Sequence, residues 1–237
     1  EQQGYYLIIC ESNYDFSKER ELLEQLARIA VEGIFLFTPH DYSEENSIHK
    51  GRFQDIPVIF ADRGLNEGYY GTVKIDEYTG VYQAIKWLIG KGHRKIGLIM
   101  DNSEHYHLGE RYEAYHQALI DHGLLIEEKY IQKRPLTIAG GYQGATELLR
   151  HSEVSAIFCC DDMVAIGCYQ AVYDSGKILD QEITVVGFDG GEVTQFVRPQ
   201  IKSVRQPYRE LGKAYAEKIQ MSIEQPNRRI DDRLFHV

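Results

Sequence analysis

Positive charge is in short supply in this 237-residue chain. It has 26 Lys and Arg against 36 Asp and Glu, for a net charge of -10. A surface that grips nucleic-acid phosphates is basic, so the chain as it stands is a poor DNA binder by itself. Cysteine is also scarce, with only Cys10, Cys159, Cys160 and Cys168. None forms a spaced metal-ligand pair. The nine histidines show no metal spacing either, and His105 and His107 read as solvated. No metal and no cofactor is expected. No basic-then-apolar signal segment opens the chain. No run approaches the roughly 20 apolar residues that span a bilayer. There is no short repeat or low-complexity segment. Gly-x-Ser-x-Gly, P-loop and dinucleotide fingerprints are missing as well. The glycine-rich stretch Gly187 to Gly191 lacks the Lys of a phosphate loop.

What is present is an alternation of apolar runs and amphipathic stretches. Adjacent Cys159 and Cys160 in a strand point to opposite faces and read as small buried hydrophobes. Free thiols favour a reducing compartment, which here means the cytoplasm. Tyr5–Cys10, Gly33–Thr38, Pro57–Ala61 and Thr72–Asp76 read as strands. A helix is expected from Lys18 to Ala30, capped by Asp15 or Ser17, and another from Glu77 to Gly90. The pattern restarts near Gly92. Strands are expected at Lys95–Met100, Tyr130–Lys133, Ala156–Cys160 and Thr184–Phe188. Helices are expected at Gly109–His122, Tyr142–Arg150, Met163–Ser175 and Tyr208–Ser222. Such alternation argues for an α/β fold with parallel sheets flanked by helices, and the restart argues for two lobes.

Two strands of the second half end in carboxylates: Ala156–Cys160 runs into Asp161 and Asp162, and Thr184–Phe188 runs into Asp189. Ligands of open parallel sheets bind beyond the carboxyl ends of the strands. Three acidic groups are therefore aimed at one crevice.

Several ordered tokens carry a family resemblance. They include Gly4-Tyr5-Tyr6-Leu7-Ile8-Ile9, Val31-Glu32-Gly33-Ile34-Phe35-Leu36, Pro57 to Arg63, and Gly92-His93-Arg94-Lys95-Ile96-Gly97. Glu110-Arg111-Tyr112, Asp161 to Gly167, Val186-Gly187-Phe188-Asp189 and Ser203 to Pro207 complete the set. With them the chain resembles the effector-binding core of the lactose-repressor (LacI/GalR) family of bacterial transcription regulators, over nearly its whole length. The resemblance implies a two-lobed fold like that of periplasmic sugar-binding proteins. It implies a sugar-like effector held between the lobes, a homodimer, and DNA binding through an N-terminal helix-turn-helix. That helix-turn-helix and one strand-helix unit of about 25–30 residues are expected to precede Glu1. The N-terminal lobe is expected to hold residues 1–92 plus 206–225, and the C-terminal lobe 93–205 plus 226–237. Ala114 replaces a glycine usual in the family, and Asp161 an asparagine.

In the resemblance Arg111 and Asp189 touch the effector. Arg111 offers a planar fork suited to hydroxyls or a carboxylate; the alternative is a surface ion pair with Glu110 or Asp101. Asp189 accepts from vicinal hydroxyls, or else caps the turn near Gly191-Glu192. Asp161 accepts but cannot donate when ionised, which favours hydroxyl-rich ligands over acidic ones. Asp162 reads as the cap of the Met163 helix. Asp62 and Asp76 end strands of the first lobe and are weaker candidates, since turns or salt bridges explain them equally well. Tyr14, Tyr106 and Tyr142 offer rings to stack on a sugar, or ordinary packing. The expected function is a ligand-sensing domain, not an enzyme. The alternatives are a periplasmic-type sugar-binding transport protein, which shares the fold, and a carbohydrate-active enzyme using the three carboxylates.

Overall fold

The computed structural model describes residues 4–13, 15–38, 40, 42, 56–61, 72–102, 107–151, 153–225 and 233–236. The elements are α1 (Phe16–Arg28), β1 (Ile34–Phe37), β2 (Val58–Ala61), β3 (Thr72–Asp76), α2 (Glu77–Gly90), β4 (Ile96–Met100), α3 (His107–Asp121), β5 (Ile131–Lys133), α4 (Ile138–His151), β6 (Ala156–Cys159), α5 (Asp162–Asp174), β7 (Thr184–Asp189), β8 (Lys202–Arg205), α6 (Tyr208–Glu224) and β9 (Arg233–His236). They form two sheets, ordered β1-β2-β3-β9 and β5-β4-β6-β7-β8. The chain divides into two compact units, Glu1–Lys74 with Tyr208–Phe235, and Ile75–Pro207 with His236–Val237.

In the second unit every described strand pairing is parallel, for example Leu98 with Phe158 and Phe158 with Val186. Such sheets are covered on both faces, so their strands read as unbroken apolar runs. β4 and β6 are buried at every position. One face packs Leu98, Phe158, Cys160 and Phe188 under Val81, Ile85 and Leu88 of α2 and Ala114, Tyr115 and Ala118 of α3. The other packs Ile99, Ile157, Cys159 and Val185 under α4 and α5. Cys159 and Cys160 therefore do point to opposite faces, and both are buried free thiols. Gly167 is required by the α4–α5 crossing, because a Cβ there would run into the Ile138 carbonyl.

Helix α2 departs from the expected division. It was assigned with residues 1–92, but its apolar stripe completes the core over β4 and β6, and it belongs with the second unit. The boundary lies at Lys74/Ile75 rather than near Gly92. The terminal strand is a second departure. β9 joins the first sheet beside β3, and only His236 and Val237 cluster with the second unit.

In the first unit, Asp15 caps α1 by accepting from the Lys18 amide at 2.9 Å. Leu23 packs on Ile34, Leu36, Val58 and Phe60. On α6, Leu211, Ala214 and Tyr215 are buried, and the Tyr215 ring lies 5.4 Å from Phe35 and from Phe37. The expected strand Tyr5–Cys10 is not formed. These residues join no sheet, and Tyr6, Leu7 and Ile9 are 95%, 77% and 84% exposed. An apolar run becomes a strand only when a neighbouring strand takes up its backbone N–H and C=O groups, and among the described residues no strand pairs with this run.

Candidate functional site

The second sheet has its topological switch point between β4 and β6, because β5 lies on one side of β4 and β6, β7 and β8 follow on the other. Crevices of this kind open at the carboxyl ends of the strands. Arg111, on α3 just after β4, lies there. Its Nη1 donates to the carbonyl of Cys160, the residue that follows β6, at 2.5 Å. Its Nε and Nη2 donate to the two carboxylate oxygens of Glu77 at 2.9 and 2.5 Å. The guanidinium also lies 4.0 Å from the centre of the Phe188 ring. Burial opposes the charge, but the hydrogen bonds and charge of Glu77 outweigh it and hold the Arg111 pKa above its ordinary value. The ion pair shown is thus a buried one with Glu77, in place of the surface pair with Glu110 or Asp101 weighed from sequence.

Asp189 ends β7 with φ at 109°, a left-handed conformation that is strained in a residue with a Cβ. Gly190 follows at φ 68°, where a Cβ would stand 2.7 Å from the Arg205 Cα. Gln206 fixes this bend, its side-chain amide donating to Asp189 Oδ1 at 2.7 Å and its backbone N–H to the Asp189 carbonyl at 3.0 Å. Burial pushes the Asp189 carboxyl up to about 7; Arg111 works against this, while Asp161, Asp162 and Glu77 add to it. The alternative role of Asp189 as a cap does not hold, since the short 3-10 turn Glu192–Gln195 starts at Gly191 without a side-chain cap.

The cap expected of Asp162 is made by Asp161 instead. Asp161 is the N-cap of α5, its Oδ1 accepting from Met163 N at 2.6 Å and Val164 N at 3.3 Å. Oδ2 stays outside that cap. Asp162 is the first helical residue and is buried. Its oxygens accept from Ser203 Oγ at 2.6 Å and Gly191 N at 2.7 Å, which ties α5 to the turn after β7. Burial raises its pKa despite those bonds. The reason is register: the helix starts one residue earlier than its apolar pattern suggests.

The other candidates fall elsewhere. The Tyr142 hydroxyl donates to Asp174 at 3.1 Å. Asp174 is the last residue of α5, and Asp161 caps its first turn. At 1.5 Å rise per residue, the 13-residue helix separates them by about 20 Å. Tyr142 therefore ties α4 to α5 and is not brought to Arg111 and Asp189. Asp76 caps α2 through Thr79 N at 2.9 Å and accepts from His236 at 2.8 Å, so its role is structural. Asp62, Tyr106 and Tyr14 lie outside the described residues. Glu77 was not anticipated. The only signal for it in the sequence is an acidic residue in a first helical turn, which ordinarily reads as a response to the helix dipole. Among the described residues no group of three His, Cys, Asp or Glu could hold a metal, and no helix is long and apolar enough to cross a membrane.

A parallel sheet wound in both directions from β4 and β6, with helices on both faces, defines an α/β domain of the binding-protein type. The chain belongs to the periplasmic binding protein-like domain family, which residues 85–236 match, and is the effector-binding core of a LacI/GalR-type transcriptional regulator. It is 29% identical over 231 residues to the HTH-type transcriptional repressor PurR of Glaesserella parasuis, covering 95% of this chain and 67% of that one. It is 28% identical over 235 residues to the ribose operon repressor of Haemophilus influenzae, covering 96% and 68%. A LacI family transcriptional regulator from Enterococcus faecium, solved with bound ribose, superposes with a TM-score of 0.87 at 24% identity, covering 99% of this chain and 85% of that one. These relatives are regulators rather than transport proteins or enzymes.

Proposed function

We propose that this core senses a neutral, hydroxyl-rich small molecule, a sugar or sugar derivative, at the carboxyl end of the second unit's sheet. Arg111, Asp161 and Asp189 are the contacting residues. The observation that carries this reading is Asp189. It is a carboxylate held in a strained backbone at the end of β7 and kept partly protonated beside a buried arginine. Strain of this kind collects at functional sites, and a carboxylate there can accept from vicinal hydroxyls. The ribose bound by the Enterococcus regulator supplies the first probe. In this reading the site binds rather than turns over its ligand: Asp161 is a helix cap, Asp162 a tether and Glu77 the partner of Arg111, and among the described residues no nucleophile is paired with a base beside Asp189.

In the intact regulator, a cytoplasmic homodimer in this reading, ligand occupancy changes affinity for operator DNA. That coupling requires the ligand to bind the DNA-bound and free forms unequally. The test has two stages. Thermal unfolding of this chain with a panel of neutral pentoses and hexoses, beginning with D-ribose, should find a sugar that raises Tm. The same sugar should shift operator affinity of the intact regulator at matched salt. A sugar that stabilises the core yet leaves operator affinity unchanged contradicts the regulatory reading.

A further inference from the structure

Arg111 is the natural anchor for an anionic ligand at this site, yet its hydrogen-bonding edge is already engaged. A guanidinium recognises a carboxylate or phosphate by presenting two parallel N–H groups. Here Nε and Nη2 present that pair to Glu77, and Nη1 is turned to the Cys160 carbonyl. Phe188 covers one face of the plane. The Arg111 and Glu77 side chains are only 11% and 9% exposed, so the pair is shielded from competing water.

The surrounding sequence holds Glu77 in place. Asp76 caps α2, which makes Glu77 its first residue. Val81, Ile85 and Leu88 lock α2 to Ala114, Tyr115 and Ala118 of α3, the helix that carries Arg111. Farther along the same two helices, the Tyr82 hydroxyl donates to Asp121 at 2.8 Å, so α2 and α3 run in the same direction and are pinned twice.

We propose that Glu77 is a selectivity residue: by occupying the fork of Arg111 it confines the site to neutral, hydroxyl-rich ligands and turns away those carrying a phosphate or carboxylate. This rests on the reading of the site given above and adds to it the residue that enforces the preference for neutral ligands. An incoming anion that takes the Nε–Nη2 fork has to displace Glu77, leaving a buried carboxylate near Asp189 with no cation of its own, and one that takes the remaining N–H groups meets a cation whose charge Glu77 already balances. A neutral sugar meets none of this. It donates hydroxyls to the carboxylates and accepts from the Arg111 N–H groups that Glu77 and Cys160 leave over.

The test is titration calorimetry with D-ribose, D-ribose 5-phosphate, neutral hexoses and their phosphates, and inorganic sulfate, on the wild type and on Glu77→Gln. The amide keeps the shape of the side chain and removes its charge. The wild type should prefer the neutral sugar over its phosphate by at least about 100-fold. Glu77→Gln should narrow that ratio at least about tenfold and should gain sulfate binding. An unchanged ratio in a folded Glu77→Gln protein overturns the proposal. If the variant fails to fold, the wild type decides alone, since tighter binding of the phosphate overturns it and the stated preference supports it. If no sugar binds either protein, the effector-site reading has failed while the role of Glu77 is still read from sulfate. Binding by Glu77→Gln only would sustain the role, and binding by neither or by both would end it.

Discussion

Two buried glutamates, each in the first turn of a helix, are used in opposite ways by the two units. Glu19 of α1 and Glu77 of α2 are 4% and 7% exposed. In the first unit, Glu19 Oε1 accepts from the hydroxyls of Thr38 at 2.8 Å and Tyr42 at 2.6 Å. Burial, and then the bond to Glu19, raises the Tyr42 pKa. Neutral donors satisfy this carboxylate, and the result is structural: it joins α1 to the segment after β1. In the second unit, Glu77 faces a cation, which in turn lies near the carboxyl of Asp189 and its strained backbone. Buried polar groups need partners in either case. A hydroxyl partner secures a fold, whereas a cation partner leaves a charge balance that a ligand can read.

The largest effect should come from removing the partner of the cation. Glu77→Ala leaves Arg111 buried and unpaired and should cost about 3–5 kcal/mol in urea unfolding. Glu19→Ala strands two neutral hydroxyls and should cost less, about 1–3 kcal/mol. Equal losses would erase the contrast between the units.

A pH series sharpens the comparison. The folded-state pKa of Asp189 lies near 7, above its ordinary 3.8, so the native protein holds a proton that the unfolded chain gives up. The stability from this group is full below about 3.8 and is lost as pH rises through 7. A shift of this size corresponds to at most about 4 kcal/mol. For a partly exposed group about 1–2 kcal/mol is expected between pH 4.5 and 7.5. Asp189→Asn should remove that part of the slope, and an unchanged slope would place the titration elsewhere. The smallest effect belongs to the first unit. Leu7→Ser, in the exposed run, should change stability by less than about 0.5 kcal/mol; a loss of 2 kcal/mol would mean that the run is packed.

How much of this could be read from sequence depended on the range of the interaction. β4, β6 and β7 were legible because strands buried on both faces are apolar without interruption, and α2 because its apolar spacing is helical. Asp189 was legible because a strand ending in a carboxylate points at the crevice. The Arg111–Glu77 pair was not, because it joins residues 34 apart through helix packing that no local pattern encodes. For the same reason α2 was assigned to the wrong unit. The cap of α5 was read one residue late, at Asp162 instead of Asp161, because a helix start is uncertain by a residue, and one residue decides which carboxylate caps. Tyr5–Cys10 had the composition of a strand, but among the described residues no strand pairs with it. Tyr142 had a suitable ring at the wrong end of a helix.

The central claim is that the effector sits against Asp189 and Arg111 at the end of the second sheet. It is tested most directly by titrating the sugar found in the panel screen into wild type, Asp189→Asn and Tyr142→Phe at pH 8, where Asp189 is ionised. Asp189→Asn should bind roughly 10–150-fold more weakly, the 1.5–3 kcal/mol typical of hydrogen bonds to charged groups. Tyr142→Phe, altered at the far end of α5, should bind like the wild type. Wild-type affinity in Asp189→Asn would contradict the account.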